Sequence, residues 1–111
     1  MDMRPEWVAG IRAWAAANPN LAEIWLFGSR AKNRARSDSD VDLGLVLQLA
    51  EGSHDWALGN YLAVGNGWRQ DLEAIVGRHV SLELFPRDGE PLPETMIEAR
   101  ATAIRVWPPH R

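Results

Sequence analysis

A chain of 111 residues is long enough to form one domain with a buried core, and without cysteine it has neither disulfides nor thiolate metal ligands. Its 15 acidic and 12 basic residues leave a net charge of −3, which argues against a broad basic face for bulk nucleic acid but not against a local basic patch beside a nucleotide. No run approaches about 18 uninterrupted apolar residues, and MDMRPEWVAG lacks the start of a signal peptide, so neither a membrane span nor export is expected and the cytoplasm is the expected location.

In chain order, residues 5–17 are expected to form a helix, with Pro5 in its first turn and Trp7, Ile11 and Trp14 on one face. Asn18-Pro19-Asn20 ends it, because the residue before proline is driven out of the helical region. The short apolar run AEIWLF, residues 22–27, reads as a strand broken by Gly28-Ser29. Ser29 is a good N-cap for a short helix over 29–35.

Residues 40–49, DVDLGLVLQL, alternate with period two and read as a second strand. Val41, Leu43, Leu45, Leu47 and Leu49 share one face; Asp40, Asp42, Gly44, Val46 and Gln48 share the other. After a turn at 51–53, residues 54–76 carry a helical repeat through Tyr61, Val64, Trp68, Leu72 and Ile75, with a break expected near 65–67 where glycines cluster and a C-cap at Gly77. A third strand is expected at 79–85 with Ser81, Glu83 and Phe85 on one face, then a helix at 93–103 with Met96, Ile97 and Ala101 apolar, and a short strand at 104–107. The order predicts a single α/β (α+β) domain over residues 1–111, with a mixed sheet of three to four strands flanked by helices.

The six tryptophans are read chiefly as core, the alternative being a partner surface or a base-stacking platform. His54, His79 and His110 lack ligand spacing and are read as structural or surface residues.

The chemistry concentrates in one stretch, LFGSRAKNRARSDSDVDLGLVL. Asp40 and Asp42, two apart on a strand, point the same way. Carboxylates that close repel one another unless a cation neutralises them, and an all-oxygen set suits Mg²⁺, which completes its shell with water and phosphate. Glu83 has the parity to join them if the second and third strands are neighbours, making a two-metal site. Asp38 is set aside as a turn-capping residue before the strand. Gly28 lets backbone approach a ligand, and Ser29 opens a helical turn whose N–H groups can face an anion. Arg30, Lys32, Arg34 and Arg36 add positive charge beside that turn.

Gly28-Ser29, ten residues, then Asp40-Val41-Asp42 resembles the G-S-x10-D-x-D signature of the nucleotidyltransferase superfamily related to DNA polymerase β, and "FGSRA…SDSDVDL" is similar to the minimal nucleotidyltransferase (MNT) domains of prokaryotes. The resemblance implies the nucleotidyltransferase fold over most of the chain. It implies that Gly28 and Ser29 hold the β and γ phosphates of a nucleoside triphosphate, and that Asp40 and Asp42 bind the metal ions; Arg30, next to the phosphate turn, is the basic residue expected to join them. It also implies a third carboxylate on a later strand that binds metal and activates the acceptor hydroxyl. Family members carry that carboxylate in a string like "VDLV"; here the string is "VSLELF", with Ser81 where an aspartate is expected and Glu83 two residues on. Glu83 is the favoured third ligand.

The implied activity is transfer of a nucleoside monophosphate, AMP from ATP, to an acceptor hydroxyl. The implied acceptor is a partner protein, since many MNT proteins pair as antitoxins with a HEPN-domain toxin. The alternative is a catalytically weak nucleotide- or partner-binding module of the same fold. An oligomer is compatible with either.

Overall fold

A computed structural model of the protein describes residues 2–36, 38–48, 67–87 and 89–109. The elements are α1 (Pro5–Ala16), β1 (Leu21–Phe27), α2 (Gly28–Ala31), β2 (Val41–Leu47), α3 (67–76), β3 (Val80–Leu84), a 3₁₀ turn (Glu94–Met96), α4 (Ile97–Thr102) and β4 (Ile104–Trp107). The sheet runs β3-β2-β1-β4. The β1–β2 and β1–β4 pairs are antiparallel and β2–β3 is parallel, so this is the mixed four-stranded sheet flanked by helices that the element order predicts.

Alternation along the strands gives the sheet two different faces. Ile24, Leu26, Val41, Leu43, Leu45, Val80 and Val106 are buried together with Trp7, Val8, Ile11 and Ala15 of α1 and Trp68, Leu72 and Val76 of α3. Each large apolar side chain buried there contributes about 1.5–3 kcal/mol. The two helices meet closely at Gly10, where an added Cβ would stand 2.6 Å from Ile75 Cγ2. Trp14 and Trp68 stack edge to face at 6.0 Å, so the tryptophans of α1 and α3 belong to the packing. Across the sheet, α4 lays Arg100 over Trp25 at 3.9 Å, the cation–π geometry that holds this helix to β1.

The boundaries differ from the sequence expectations in instructive ways. The short helix stops at Ala31 because Asn33 takes a left-handed φ of 57°, while Arg34 N donates to Ser29 O at 2.8 Å and Asn33 N to Arg30 O at 3.5 Å, a Schellman close. Its N-cap is Phe27 rather than Ser29, and no side chain caps it. The helix expected at 93–103 is a 3₁₀ turn followed by six α-helical residues, and its apolar side is not its packing side, since Ile97 is 51 % exposed. The C-cap of α3 is Gly77, with φ 66° and its N–H donating to Glu73 O at 2.8 Å. The helix expected over 54–76 is seen from 67 onward; its first part, the turn at 51–53 and nearly all of the suggested break at 65–67 lie outside the described residues.

Candidate functional site

The site forms where β1 ends, α2 begins and β2 starts. Antiparallel pairing puts Phe27 opposite Asp42, so the next residue, Gly28, turns the chain beside that aspartate. Gly28 has φ 72°, and a Cβ built on it would collide with Asp42 Oδ2. Two features therefore demand glycine here: the left-handed backbone and the carboxylate packed against it. The Gly28-Ser29 turn and the Asp42 carboxylate are one contiguous structure, and the first N–H groups of α2 open beside it.

Asp42 is half-buried, and its carboxyl is held above the ordinary carboxylate range. Burial is the largest cause and the neighbouring Asp40 charge the next; His79 and Arg30 pull the other way, and Glu83 adds a further rise. An acidic group held above its ordinary range by burial and by an acidic neighbour is one that a cation would relieve. The donor chemistry of Asp40 and Asp42, oxygen only, fits a hard divalent ion that takes its remaining ligands from water and phosphate.

The third position is less complete. Parallel pairing of β2 and β3 places Ser81 directly across from Asp42 and Glu83 across from Gly44, one pair further along the same face. Among the described residues no three His, Asp or Glu side chains are gathered as a metal cage. Glu83 shares the face and the field of Asp42 but is exposed. The packing next to it is tight: Phe85 is 4 % exposed, its ring lies over Gly44, where an added Cβ would stand 2.5 Å from Cε2, and it meets Phe27 at 5.4 Å.

Asp40, just ahead of β2, stands against a residue that the sequence reading set aside. His79 Nδ1 lies 3.3 Å from Asp40 Oδ2, and His79 Nε2 lies 3.9 Å from Glu73 Oε2. Glu73 Oε2 accepts the Val80 N–H at 2.9 Å, and Val41 N donates to His79 O at 2.9 Å, so the starts of β2 and β3 are tied together around this histidine. Only the parallel register reveals it, because residue 79 stands beside residue 40 once Val80 pairs with Val41.

Arg30 does not spend its guanidinium on the phosphate turn. It is 5 % exposed and donates to Ser39 O through Nε at 3.2 Å and Nη2 at 2.7 Å, and to Asp2 O through Nη1 at 3.0 Å. It also lies over Trp7 at 5.2 Å. Arg30, which the sequence reading places at the phosphate turn, here anchors the connector between α2 and β2 to the N-terminal segment. The turn before β2 is closed by Ser39, whose Oγ accepts the Arg36 N–H at 2.8 Å, a job the sequence reading gave to Asp38.

A family model described as polymerase beta, nucleotidyltransferase matches residues 10–83. Among solved structures, the chain is similar to a crystal structure of a toxin-antitoxin with AMP-PNP, at TM-score 0.59 and 18 % identity, covering 90 % of this chain and 72 % of that one. At that identity the likeness is one of fold. A search of curated proteins found no match. The matched stretch covers more than half of the chain and holds both the Gly28-Ser29 turn and the Asp40/Asp42 pair, so the chain belongs to the polymerase beta nucleotidyltransferase family.

Proposed function

We propose that the protein is a Mg²⁺-dependent nucleotidyltransferase that moves AMP from ATP to a hydroxyl on a partner protein, in the manner of an MNT antitoxin acting on its toxin. The observation that carries this reading is the contact of Gly28 with Asp42, which joins the Gly28-Ser29 turn to the carboxylate pair in one corner. The toxin–antitoxin crystal structure with AMP-PNP supports both a nucleotide and a protein partner. A HEPN-domain protein is the partner class the MNT resemblance suggests.

In this reading Gly28 and Ser29 hold the terminal phosphates, the future pyrophosphate, with backbone N–H groups. Asp40 and Asp42 hold the metal, and Glu83 reaches along the face of β3 toward the acceptor. Magnesium, when bound, supplies charge neutralisation at the phosphates and template geometry. The acceptor oxygen bonds to the α-phosphorus, the bond from that phosphorus to the bridging oxygen breaks, and pyrophosphate leaves with the electron pair. The acceptor proton passes to the Glu83 carboxylate or to water. The remaining contribution is positioning.

The test is incubation with labelled ATP, Mg²⁺ and a candidate toxin, comparing the parent with the Asp40→Ala/Asp42→Ala double variant. Label on the partner that requires both aspartates supports the reading; transfer and nucleotide binding indifferent to them overturn it. One observation favours a second reading, a catalytically weak binding module: Ser81, not a carboxylate, stands directly across from Asp42. That reading expects ATP binding that depends on the aspartates, with no label on any partner.

A further inference from the structure

Four arginines converge on a cleft of about 420 Å³ between the start of α1, the connector after α2 and the turn before β3. Arg4, Arg30, Arg36 and Arg78 line it with Trp7, and Asp2 is its one acidic lining residue. The lining therefore carries four positive charges and one negative, net +3, in a chain whose net charge is −3. The floor is built rather than incidental. Trp7, 9 % exposed, has the guanidinium groups of Arg4 at 5.6 Å and Arg30 at 5.2 Å from its ring, and Arg30 is fixed by backbone carbonyls. The Asp2 carboxylate is turned to the protein, accepting the Ala35 N–H at 3.2 Å.

Arg4 and Arg36 are exposed at the rim and Arg78 is partly so. The ion pair of Arg4 with Glu6, at 4.0 Å with both side chains about two-thirds exposed, is a contact of little strength. The cleft also borders the reaction corner: Arg78 precedes His79, which touches Asp40, and the Arg36–Ser39 turn leads directly into Asp40.

We propose that this cleft docks an acidic segment of a protein partner, so that carboxylates on the partner pair with Arg4, Arg36 and Arg78 while Arg30 and Trp7 form the floor. Guanidinium forks match carboxylates in pairs, and a small cleft of net +3 suits a short acidic stretch. A nucleic acid would need a positive track longer than this one patch, against an overall negative chain. The inference deepens the reading of a protein acceptor and rests on it for the partner's identity, but the docking itself does not require transfer chemistry.

The experiment uses the full chain and a fluorescent ten-residue Glu-rich peptide, followed by anisotropy at two salt concentrations. A Lys-rich peptide and a single-stranded RNA ten-mer serve as comparison probes. Binding of the acidic peptide that weakens with salt, and falls about tenfold or more in Arg36→Ala/Arg78→Ala, supports the proposal. The control variant Lys32→Ala/Arg87→Ala, with the same loss of charge elsewhere, is expected to bind as the parent does. Equal binding by the two double variants, failure of the acidic peptide to bind, or tighter binding of RNA would each overturn it. Asp40→Ala/Asp42→Ala is expected to retain peptide binding, so failure of the transferase reading and failure of the docking site are read separately.

Discussion

Gly28 and Asp42 are in contact across the β1–β2 corner so closely that no other residue fits at position 28 without moving the carboxylate. Gly28→Ala carries two costs. The left-handed backbone, φ 72°, costs about 1–2 kcal/mol for a residue with a Cβ, and the methyl displaces Asp42. We expect a Tm several degrees lower and loss of Mg²⁺-dependent ATP binding, measured by thermal scanning and titration calorimetry. Unchanged ATP binding would show that the corner is not part of the site.

Asp42 has a sign that can be worked out. Its carboxyl titrates above the ordinary range in the folded protein, chiefly through burial and then through Asp40. The ionised form is therefore the disfavoured one in the metal-free fold. Well below the unfolded pKa both states are protonated and nothing is lost; as pH rises from the unfolded value to the raised folded value the unfolded chain ionises first and a penalty accumulates, and above the folded value it stays constant. Asp42→Asn removes it. In chelator at pH 7 the variant is expected to melt higher than the parent, and the gap should close as pH falls to about 4. Mg²⁺ with ATP should stabilise the parent and not the variant. A variant that melts lower than the parent in chelator at pH 7 would contradict this.

Much of this corner is legible in the sequence because it is local. Gly28-Ser29 breaks an apolar run, and Asp40 and Asp42 share strand parity, so their joint direction follows from period two. What links them, the pairing of Phe27 with Asp42, is a tertiary fact that spacing alone does not supply. Parity likewise puts Ser81 and Glu83 on one face, but which of them faces Asp42 is decided by the register of β3 against β2, contributed by a segment some forty residues away. The carbonyl partners of Arg30 are hidden for a related reason. A basic residue beside a phosphate turn reads as a phosphate ligand, and the carbonyls of Asp2 and Ser39 that hold it are backbone groups with no sequence signature. The length of α2 turned on Asn33 adopting the left-handed region, a choice that a run of helix formers conceals.

Gly44 offers a test of the packing behind the site. Phe85 lies over it, and a methyl there would meet the ring at 2.5 Å. Gly44→Ala is expected to destabilise by about 1–3 kcal/mol through overpacking. Adding Phe85→Leu, which vacates the ring edge, should recover part of that loss, so the two substitutions are non-additive. Additive effects in chemical denaturation would mean that the ring moves aside freely.

The register of β3 turns the third carboxylate into a question with a constructive answer. Ser81 is the direct partner of Asp42, while Glu83 stands one pair on. If Glu83 serves, Glu83→Gln should abolish label transfer and leave ATP binding within a few-fold, and Ser81→Ala should be silent. Ser81→Asp puts a carboxylate beside Asp42 itself, and tighter Mg²⁺ binding than in the parent is expected, read by calorimetry without any partner. Equal transfer by Glu83→Gln and Ser81→Ala would remove Glu83 from the machinery.

Arg30 separates a structural role from a ligand-binding one. Its guanidinium holds the partly buried carbonyls of Asp2 and Ser39, and Arg30 is 5 % exposed, so removing it takes the donor from both. Each such orphaned group costs about 1–3 kcal/mol. Arg30→Met, which keeps an apolar stem over Trp7, is expected to lower stability by at least one such increment and to loosen the connector that leads into Asp40. Arg30→Lys should also be destabilised, because an ammonium cannot span both carbonyls with the planar fork. Hydrogen exchange should rise at Arg36 and Ser39, whose amides close the connector turn. A direct phosphate ligand would behave differently: Arg30→Lys would keep the parent's Tm and connector protection while ATP binding fell. Retained stability with selective loss of ATP binding would return Arg30 to the phosphate site.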